Sequence, residues 1–362
     1  MKYLFLLPSP TLGGAERVIL NIVKYLGENN RNNIDIYFFS KGTRNDWSPY
    51  CFPENVNLNY LNGKSEIYGV LMFFWYFQSK KFDFVFTSHT HINAFVSLCR
   101  RFRIIKSSKH ISRESTVVFK RFSGLKLLTF RLFYFIYYNI DLIICQSQEM
   151  KDSLLSNVQK FNKYNVRKIR NPLHVMHILN SCHSQDVSFP KDKVNILFVG
   201  RLVKVKQVDN LIIAFSNVIS RGHNAFLNIV GEGPLYGELV NLVDDLNVSE
   251  FVNFWGQTSN PYSFMSNADI GILVSEREGF PNVILEMMCS GTKNIIVSPC
   301  ADELNSLPEV KVLNSSSVMD IEEGLIESIT TKSDNSSVYM DYSKEIDISK
   351  FCSNVFNNNF TI

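Results

Sequence analysis

Residues 275–291 place two carboxylates in a setting suited to a charged sugar derivative. The β-branched run 270–274 predicts a strand, and the apolar pattern over 283–289 predicts a helix after a loop that contains glycine and proline. Amide groups at the start of a helix bind anions, and acidic side chains bind sugar hydroxyls. Glu278 in the loop and Glu286 about one turn into the helix therefore predict a ligand in which a sugar is joined to a phosphate.

A second loop supplies positive charge. Residues 195–199 predict a strand and residues 208–219 a helix, with Arg201 and Lys206 between them. Two cations in such a loop can contact the two phosphates of a nucleotide diphosphate, and a guanidinium can do so with two donors. Solvated surface charges are the alternative interpretation of this pair.

The first half of the chain opens with another strand, loop and helix. Residues 3–7 predict a buried strand, and Gly13-Gly14-Ala15-Glu16 begins a helix that runs to about residue 26. Glycines let a backbone approach a ligand closely, and this order of elements begins a Rossmann-type domain. The loop lacks the GxGxxG spacing, so a nicotinamide cofactor is not predicted.

Two histidines follow a later strand. Residues 82–87 predict that strand, and His89 and His91 come directly after it. Open α/β sheets place ligands at the carboxyl ends of their strands. Spacing does not choose between the two histidines, although His89 is nearer to the strand end.

Taken together, these motifs resemble the retaining glycosyltransferases of the GT-B fold, glycosyltransferase family 4. The similarity includes the two glutamates separated by seven residues, the Gly-Arg-Leu segment at 200–202 with Lys206, and the Gly-Gly-Ala-Glu segment. It implies an α/β chain with two Rossmann-like domains facing across a cleft. It also implies transfer of a hexose-type sugar from a UDP- or GDP-linked donor, with retention at the anomeric carbon, no metal and no further cofactor.

The resemblance also implies a role for each site residue. Arg201 and Lys206 would neutralise the leaving diphosphate, Glu286 would bind the ribose, and Glu278 and one histidine would contact the transferred sugar. Catalytic candidates are thus Glu278, His89 and His91, and the donor-binding set is Gly14, Arg201, Lys206, Gly279, Phe280, Pro281, Asn282 and Glu286. Gln207 stands where the family usually has glycine, which leaves the local backbone shape open.

Length and pattern predict the domain organisation. A chain of 362 residues is too long for one ordinary core. We expect an acceptor-binding domain over residues 1–172 and a linker over 173–193, where the apolar pattern is lost. A nucleotide-sugar-binding domain follows over 194–345, and a tail over 346–362 is expected to return to the first domain.

The charge of the chain is divided between its halves. Residues 1–180 hold 25 Lys and Arg against 11 Asp and Glu, whereas residues 181–362 hold 12 against 23. The apolar run 125–144 is interrupted by Lys126 and Arg131, so it predicts no spanning helix. It fits a helix lying on an anionic membrane face, or an aromatic core helix with basic ends. We expect a cytoplasmic protein, peripheral on the inner face of the membrane, with a lipid-linked saccharide as acceptor.

Other functional classes are less well matched. Seven scattered cysteines without a CxxC pair predict neither a disulfide framework nor a zinc site. A nucleotide-sugar epimerase of the same architecture would not need a first half with an apolar run and an excess of basic residues. A non-catalytic protein that binds membranes or nucleic acid would not need the phosphate-binding set in the acidic second half, so no nucleic-acid partner is expected.

Overall fold

The computed structural model describes residues 1–42, 47–48, 50–63, 65–66, 68–69, 72–73, 80–185 and 187–356. The chain divides into two compact units. The first consists of Met1–Pro172 together with Ile348–Ile362, and the second consists of Leu173–Asp347.

Each unit is built on a parallel β-sheet. Within the described ranges, the first sheet has seven strands in the order β3-β2-β1-β4-β5-β6-β7, and the second has six in the order β10-β9-β8-β11-β12-β13. The strands of the first sheet are β1 (Lys2–Leu7), β2 (Asn33–Ser40), β3 (Val56–Gly63), β4 (Lys81–Thr87), β5 (Lys106–Arg113), β6 (Leu142–Cys145) and β7 (Val166–Lys168). Those of the second are β8 (Val194–Val199), β9 (Ala225–Val230), β10 (Val252–Gly256), β11 (Ile270–Leu273), β12 (Asn294–Val297) and β13 (Lys311–Val312).

Helices follow most strands and cover the sheets. In chain order they are α1 (Gly14–Gly27), α2 (Thr90–Arg101), α3 (Val118–Arg121), α4 (Gly124–Ile136), α5 (Gln148–Asn157), α6 (Val175–Cys182), α7 (Val208–Ser220), α8 (Tyr236–Asp245), α9 (Tyr262–Met265), α10 (Asn282–Ser290), α11 (Val318–Thr331), α12 (Ser336–Glu345) and α13 (Ile348–Val355). Because a parallel sheet is covered on both faces, its central strands are apolar throughout. In β1, every residue from Tyr3 to Leu7 is buried.

The strand order reverses at one point in each sheet. From β1 the chain moves outward to β2 and β3, and then returns to place β4 on the other side of β1. The second sheet repeats this arrangement, with β9 on one side of β8 and β11 on the other. Open α/β sheets bind ligands outside the carboxyl ends of the strands at such a reversal. The loops after β1, β4, β8 and β11 therefore lie where these sheets are expected to bind ligands.

Residues 173–193, for which the sequence predicts a linker, instead begin the second unit. They contain α6, which packs against α9 and α10. Val175, Ile178 and Cys182 lie on its buried face. The helix was missed because His and Ser residues separate these apolar positions and the segment is short.

The C-terminal helix α13 belongs to the first unit, where it packs against α1. Phe356 follows it and places its ring against Tyr3 and Phe84. The last six residues of the predicted tail lie outside the described residues. None of the helices in the described part of the chain combines the length and apolarity needed to cross a membrane.

Candidate functional site

The loops after β8 and β11 lie side by side because these two strands pair directly, with Leu197 opposite Gly271. Arg201 stands two residues beyond β8, and Glu278 lies in the loop between β11 and α10. The backbone connects the loops, since the amide of Glu276 donates to the carbonyl of Val205 at 2.8 Å. The tertiary structure thus brings together the cationic and acidic loops that the sequence predicts.

Lys206 and Glu278 form an ion pair at this point. The Lys206 ammonium donates to Oε1 of Glu278, and the hydroxyl of Ser275 donates to the same oxygen at 2.9 Å. Both charged side chains are about one-fifth exposed, at 19% and 20%. Lys206 therefore holds Glu278 in place while keeping access to solvent and to an incoming anion. Ser275 belongs to the site as well, although the sequence assigned it no role.

Glycines shape the loop that carries Arg201. Gly231 has φ of +140°, and a Cβ there would lie 1.9 Å from the carbonyl oxygen of Gly200. The amide of Leu202 donates to the carbonyl of Glu232 at 3.0 Å. The loop after β9 therefore packs closely against the loop after β8, which leaves the Arg201 side chain exposed.

The backbone at Gln207 adopts a conformation that glycine favours. Its backbone is left-handed, with φ of 48° and ψ of 41°, between a 3₁₀ turn (Lys204–Lys206) and α7. This region costs an L-residue with a side chain about 1–2 kcal/mol. The loop therefore keeps the shape that glycine favours, and Gln207 bears the strain.

We expect Gln207→Gly to raise the free energy of unfolding by roughly 0.5–1 kcal/mol, because relief of the left-handed strain exceeds the added backbone entropy of glycine. Urea denaturation would measure this change. Gln207→Ala is the control, since alanine keeps the strain and should not stabilise. Equal stability of the two variants would contradict this account.

Helix α10 presents the second glutamate. Pro281 caps its start and Gly291, with φ of +91°, caps its end in the left-handed conformation. The helix begins at Asn282, directly after the proline. Glu286 lies in its second turn and is buried. The predicted arrangement, with Glu278 in the loop and Glu286 about one turn into the helix, is present, together with the buried Phe280 and the exposed Gly279.

The first unit has its own candidate site, at the ends of the paired strands β1 and β4. Gly14 opens α1 and is exposed. The amide of Gly13 donates to Oε2 of Glu16 at 3.0 Å, and the other carboxylate oxygen lies 3.0 Å from Nε2 of His89. Glu16 therefore links the glycine loop to the histidine, a role that the sequence did not predict.

The two candidate histidines have different surroundings. The His89 side chain is 20% exposed and contacts the nearly buried Glu16. His91 lies inside α2, is 38% exposed and contacts the more exposed Glu66 at 3.1 Å. Since His89 shares its carboxylate with the glycine loop, the geometry favours His89 as the site histidine.

A buried polar network lies next to this site in the first unit. Arg113 donates to the hydroxyl of Ser88 and to the side-chain oxygen of Asn171, both at 2.6 Å. Next to it, the buried Glu114 accepts hydrogen bonds from four side chains, those of Thr90, Asn93, Tyr134 and Tyr137. Burial raises the pKa of Glu114 despite these donors. Polar residues at the end of an apolar strand were the available sequence signal for this network.

Comparison with known proteins agrees with the second-unit motifs. The family model described as "Glycosyl transferases group 1" matches residues 182–303, which include Arg201, Lys206, Glu278 and Glu286. The O-antigen biosynthesis glycosyltransferase WclY of Escherichia coli is 25% identical over 334 residues, which cover 89% of this chain and 88% of that protein.

A second relative is more similar over a shorter segment. The N-acetylgalactosamine-N,N'-diacetylbacillosaminyl-diphospho-undecaprenol 4-alpha-N-acetylgalactosaminyltransferase of Campylobacter jejuni is 41% identical over 101 residues, 28% of this chain and 27% of that protein. The matched segment covers 53% of one further curated relative and 27–31% of three others.

Solved structures agree over nearly the whole chain. Anabaena HepE in complex with UDP and glucose matches with a TM-score of 0.76 at 15% identity, covering 98% of both chains. The apo form of the lipopolysaccharide outer core galactosyltransferase WaaB matches with a TM-score of 0.71 at 16% identity, covering 98% of this chain and 99% of that one. The chain has the GT-B fold, with two parallel-sheet Rossmann-like domains, and the predicted fold class is confirmed.

Proposed function

We propose that this protein is a retaining glycosyltransferase. It moves a hexose-type sugar from a UDP- or GDP-linked donor to a hydroxyl of a lipid-linked saccharide during assembly of a surface polysaccharide. The observation that carries the proposal is the ion pair of Lys206 with Glu278 between adjacent loops at the strand-order reversal of the second sheet, with Arg201 on the same loop as Lys206. Positive charge and a fixed carboxylate at a ligand-binding sheet edge suit a nucleotide sugar.

The cations suit the departure of the diphosphate. Cleavage of the bond between the sugar and the diphosphate leaves negative charge on the phosphate oxygens. Groups that already lie where this charge develops stabilise the transition state without reorganisation. Lys206 and Arg201 can supply that stabilisation together with the amides at the start of α10, so the proposed reaction requires no metal.

The acidic groups suit the hydroxyls of the donor. Glu278, oriented by Lys206 and Ser275, would accept hydrogen bonds from the transferred sugar. Glu286, one turn into α10, would bind the ribose hydroxyls, and His89 would contact the sugar. We assign Glu278 a binding role and not the role of nucleophile.

The names of relatives support the choice of acceptor. The Campylobacter relative is named for a diphospho-undecaprenol substrate, and the Escherichia coli relative for O-antigen biosynthesis. The first name supports a saccharide carried on a lipid, and the second supports a role in a surface polysaccharide. A protein that acts on such a substrate benefits from binding the membrane surface itself.

Helix α4 offers a surface for that binding. Leu125, Leu128, Leu132 and Phe135 are spaced along one side of the helix and are 57–79% exposed. An ordinary surface helix turns such a stripe toward the core. An exposed stripe of large apolar side chains instead marks an interaction surface.

The inner side of α4 is held by polar contacts. Tyr134 is buried, and its hydroxyl and that of Tyr137 donate to Glu114 at 3.1 and 2.7 Å. Turning the leucines inward would break these hydrogen bonds and leave Glu114 without two of its donors. The outward direction of the apolar stripe is therefore fixed by the fold.

The basic residues of α4 favour an anionic membrane as the partner of its exposed apolar side chains. Lys126 and Arg131 lie on the same helix and are exposed, and residues 115–140 contain no Asp or Glu. A helix with an outward apolar face and basic flanks binds the headgroup region of an anionic bilayer. We therefore propose peripheral binding at the inner membrane face through α4.

A thermal-shift panel of UDP- and GDP-sugars tests the donor site. A donor at about 100 times its dissociation constant should stabilise the protein by roughly 2.7 kcal/mol, and the midpoint should rise. We expect one nucleotide to stabilise the wild type and to have little effect on Arg201→Ala or Glu286→Ala. An unchanged response in both variants would show that the donor binds elsewhere, and a panel without any stabilising nucleotide would count against the proposed function.

A further inference from the structure

His89 occupies a corner that several elements hold in place. It directly precedes α2 and has an extended backbone, with φ of −134° and ψ of 133°. The preceding Ser88 accepts a hydrogen bond from the buried guanidinium of Arg113. The ring therefore has a defined position, and its remaining freedom concerns which nitrogen carries the proton.

Glu16 determines which ring nitrogen of His89 carries the proton. Burial alone raises the pKa of Glu16, but the hydrogen bond and charge interaction with His89, together with backbone amides, lower it below its ordinary value. The carboxylate is therefore ionised near neutral pH and can only accept hydrogen bonds. Since Nε2 of His89 lies 3.0 Å from Oε1 of Glu16, this nitrogen must carry a proton.

The second ring nitrogen is left available. Nδ1 of His89 is buried, and no described residue forms a hydrogen bond with it. In the neutral ring with a proton on Nε2, Nδ1 has a lone pair and acts as an acceptor. An unpartnered buried acceptor is unfavourable unless a ligand satisfies it.

We infer that Glu16 is a positioning residue that keeps a proton on Nε2 of His89, so that Nδ1 of the neutral ring accepts a hydrogen bond from a hydroxyl of the bound sugar. The part concerning the sugar hydroxyl rests on the proposed function. Other charged or titratable groups near His89 are His91, whose ring centre is 5.8 Å away, and Glu66 and Arg113, which interact electrostatically with the His89–Glu16 pair.

The chain contains a matched control for this arrangement. Glu66 contacts His91 as Glu16 contacts His89, but it lies on the surface and takes no part in capping α1. Replacing either glutamate with glutamine removes one negative charge beside a histidine. Only Glu16→Gln should affect the ring at the proposed site.

The first test measures the proton directly. In protein with ¹⁵N-labelled histidine, we expect the neutral His89 ring to show a protonated Nε2 and an unprotonated Nδ1. In Glu16→Gln, the amide group can donate to Nε2, so the Nδ1–H form should become populated. Glu66→Gln should leave the His89 signals unchanged. A wild-type His89 with its proton on Nδ1, or an unchanged Glu16→Gln spectrum, would overturn the positioning role of Glu16.

The second test measures the consequence. Hydrolysis of UDP-glucose without acceptor should fall about 10- to 100-fold in kcat for Glu16→Gln, since a buried hydrogen bond of this kind contributes about that factor. KM for the donor and the thermal midpoint should change little, and Glu66→Gln should match the wild type. Full activity of Glu16→Gln alongside an inactive His89→Ala would overturn the hydroxyl contact at Nδ1. A wild type that hydrolyses none of the UDP- and GDP-sugars in the panel would count against the proposed function, and the proton assignment would still be decided by the spectrum.

Discussion

Lys206→Ala is expected to lower kcat for sugar transfer by about 100- to 1000-fold, the range for removing one prepositioned charge-stabilising donor. The lysine both neutralises the departing diphosphate in the proposed reaction and holds Glu278 through the ion pair. Its loss would therefore affect the leaving group and the sugar at once. Initial rates of donor hydrolysis and of transfer would measure the effect.

Lys204→Ala is the matched control for this prediction. Lys204 lies in the same 3₁₀ turn and is exposed, and no side-chain contact ties it to Glu278. We expect this variant to retain wild-type kcat. A double-mutant cycle of Lys206→Ala with Glu278→Gln should also be strongly non-additive, because the two side chains act as a unit. Additive losses would show that Lys206 and Glu278 act independently and not as a unit. A Lys206→Ala variant with normal kcat would show that the pair is only structural.

Leu128→Glu combined with Leu132→Glu is expected to weaken binding to anionic vesicles by more than about 100-fold. Burying each leucine contributes roughly 1.5–3 kcal/mol, so two of them account for at least about 3 kcal/mol of the binding free energy. Both side chains already point away from the core, so the fold should tolerate the change. Co-sedimentation with vesicles containing about one-third anionic lipid would measure the partition coefficient.

Met176→Glu combined with Met319→Glu controls for the change in charge and apolar exposure. These methionines are exposed at 63% and 64%, and both belong to the second unit. The control should bind vesicles like the wild type. Lys126→Glu with Arg131→Glu should also weaken binding, and it should reduce the dependence on salt. Equal binding of all variants, equal binding to uncharged vesicles, or self-association through α4 would contradict a membrane as the occupant.

The sequence by itself determined the local units of the fold and most of the chemistry. A buried strand, a glycine loop and an amphipathic helix are each specified by residues close together in the chain, so α1, β8 and α10 could be predicted with small errors at their ends. The same patterns placed Arg201, Lys206 and Glu278 in loops that follow strands, and Glu286 in the next helix. They also indicated a fold with two sheets, because a chain of this length needs two cores.

The pairing of those residues could be decided only by the tertiary structure. Lys206 and Glu278 are 72 residues apart, and their contact depends on β8 and β11 becoming neighbours at the strand-order reversal. The choice between His89 and His91 likewise required β1 to lie beside β4, which brings Glu16 to His89. Spacing along the chain contains no information about either neighbour.

The sequence also could not show which face of α4 points toward the core. The apolar run at 125–144 suited a core helix as well as a membrane-surface helix, since both need the same side chains. The structure shows which side of α4 faces the core, because two tyrosine hydroxyls bind the buried Glu114 and the leucines on the other side are turned outward. Short-range patterns thus determine which elements form, whereas contacts between distant residues decide which side chains meet and which are left for a partner.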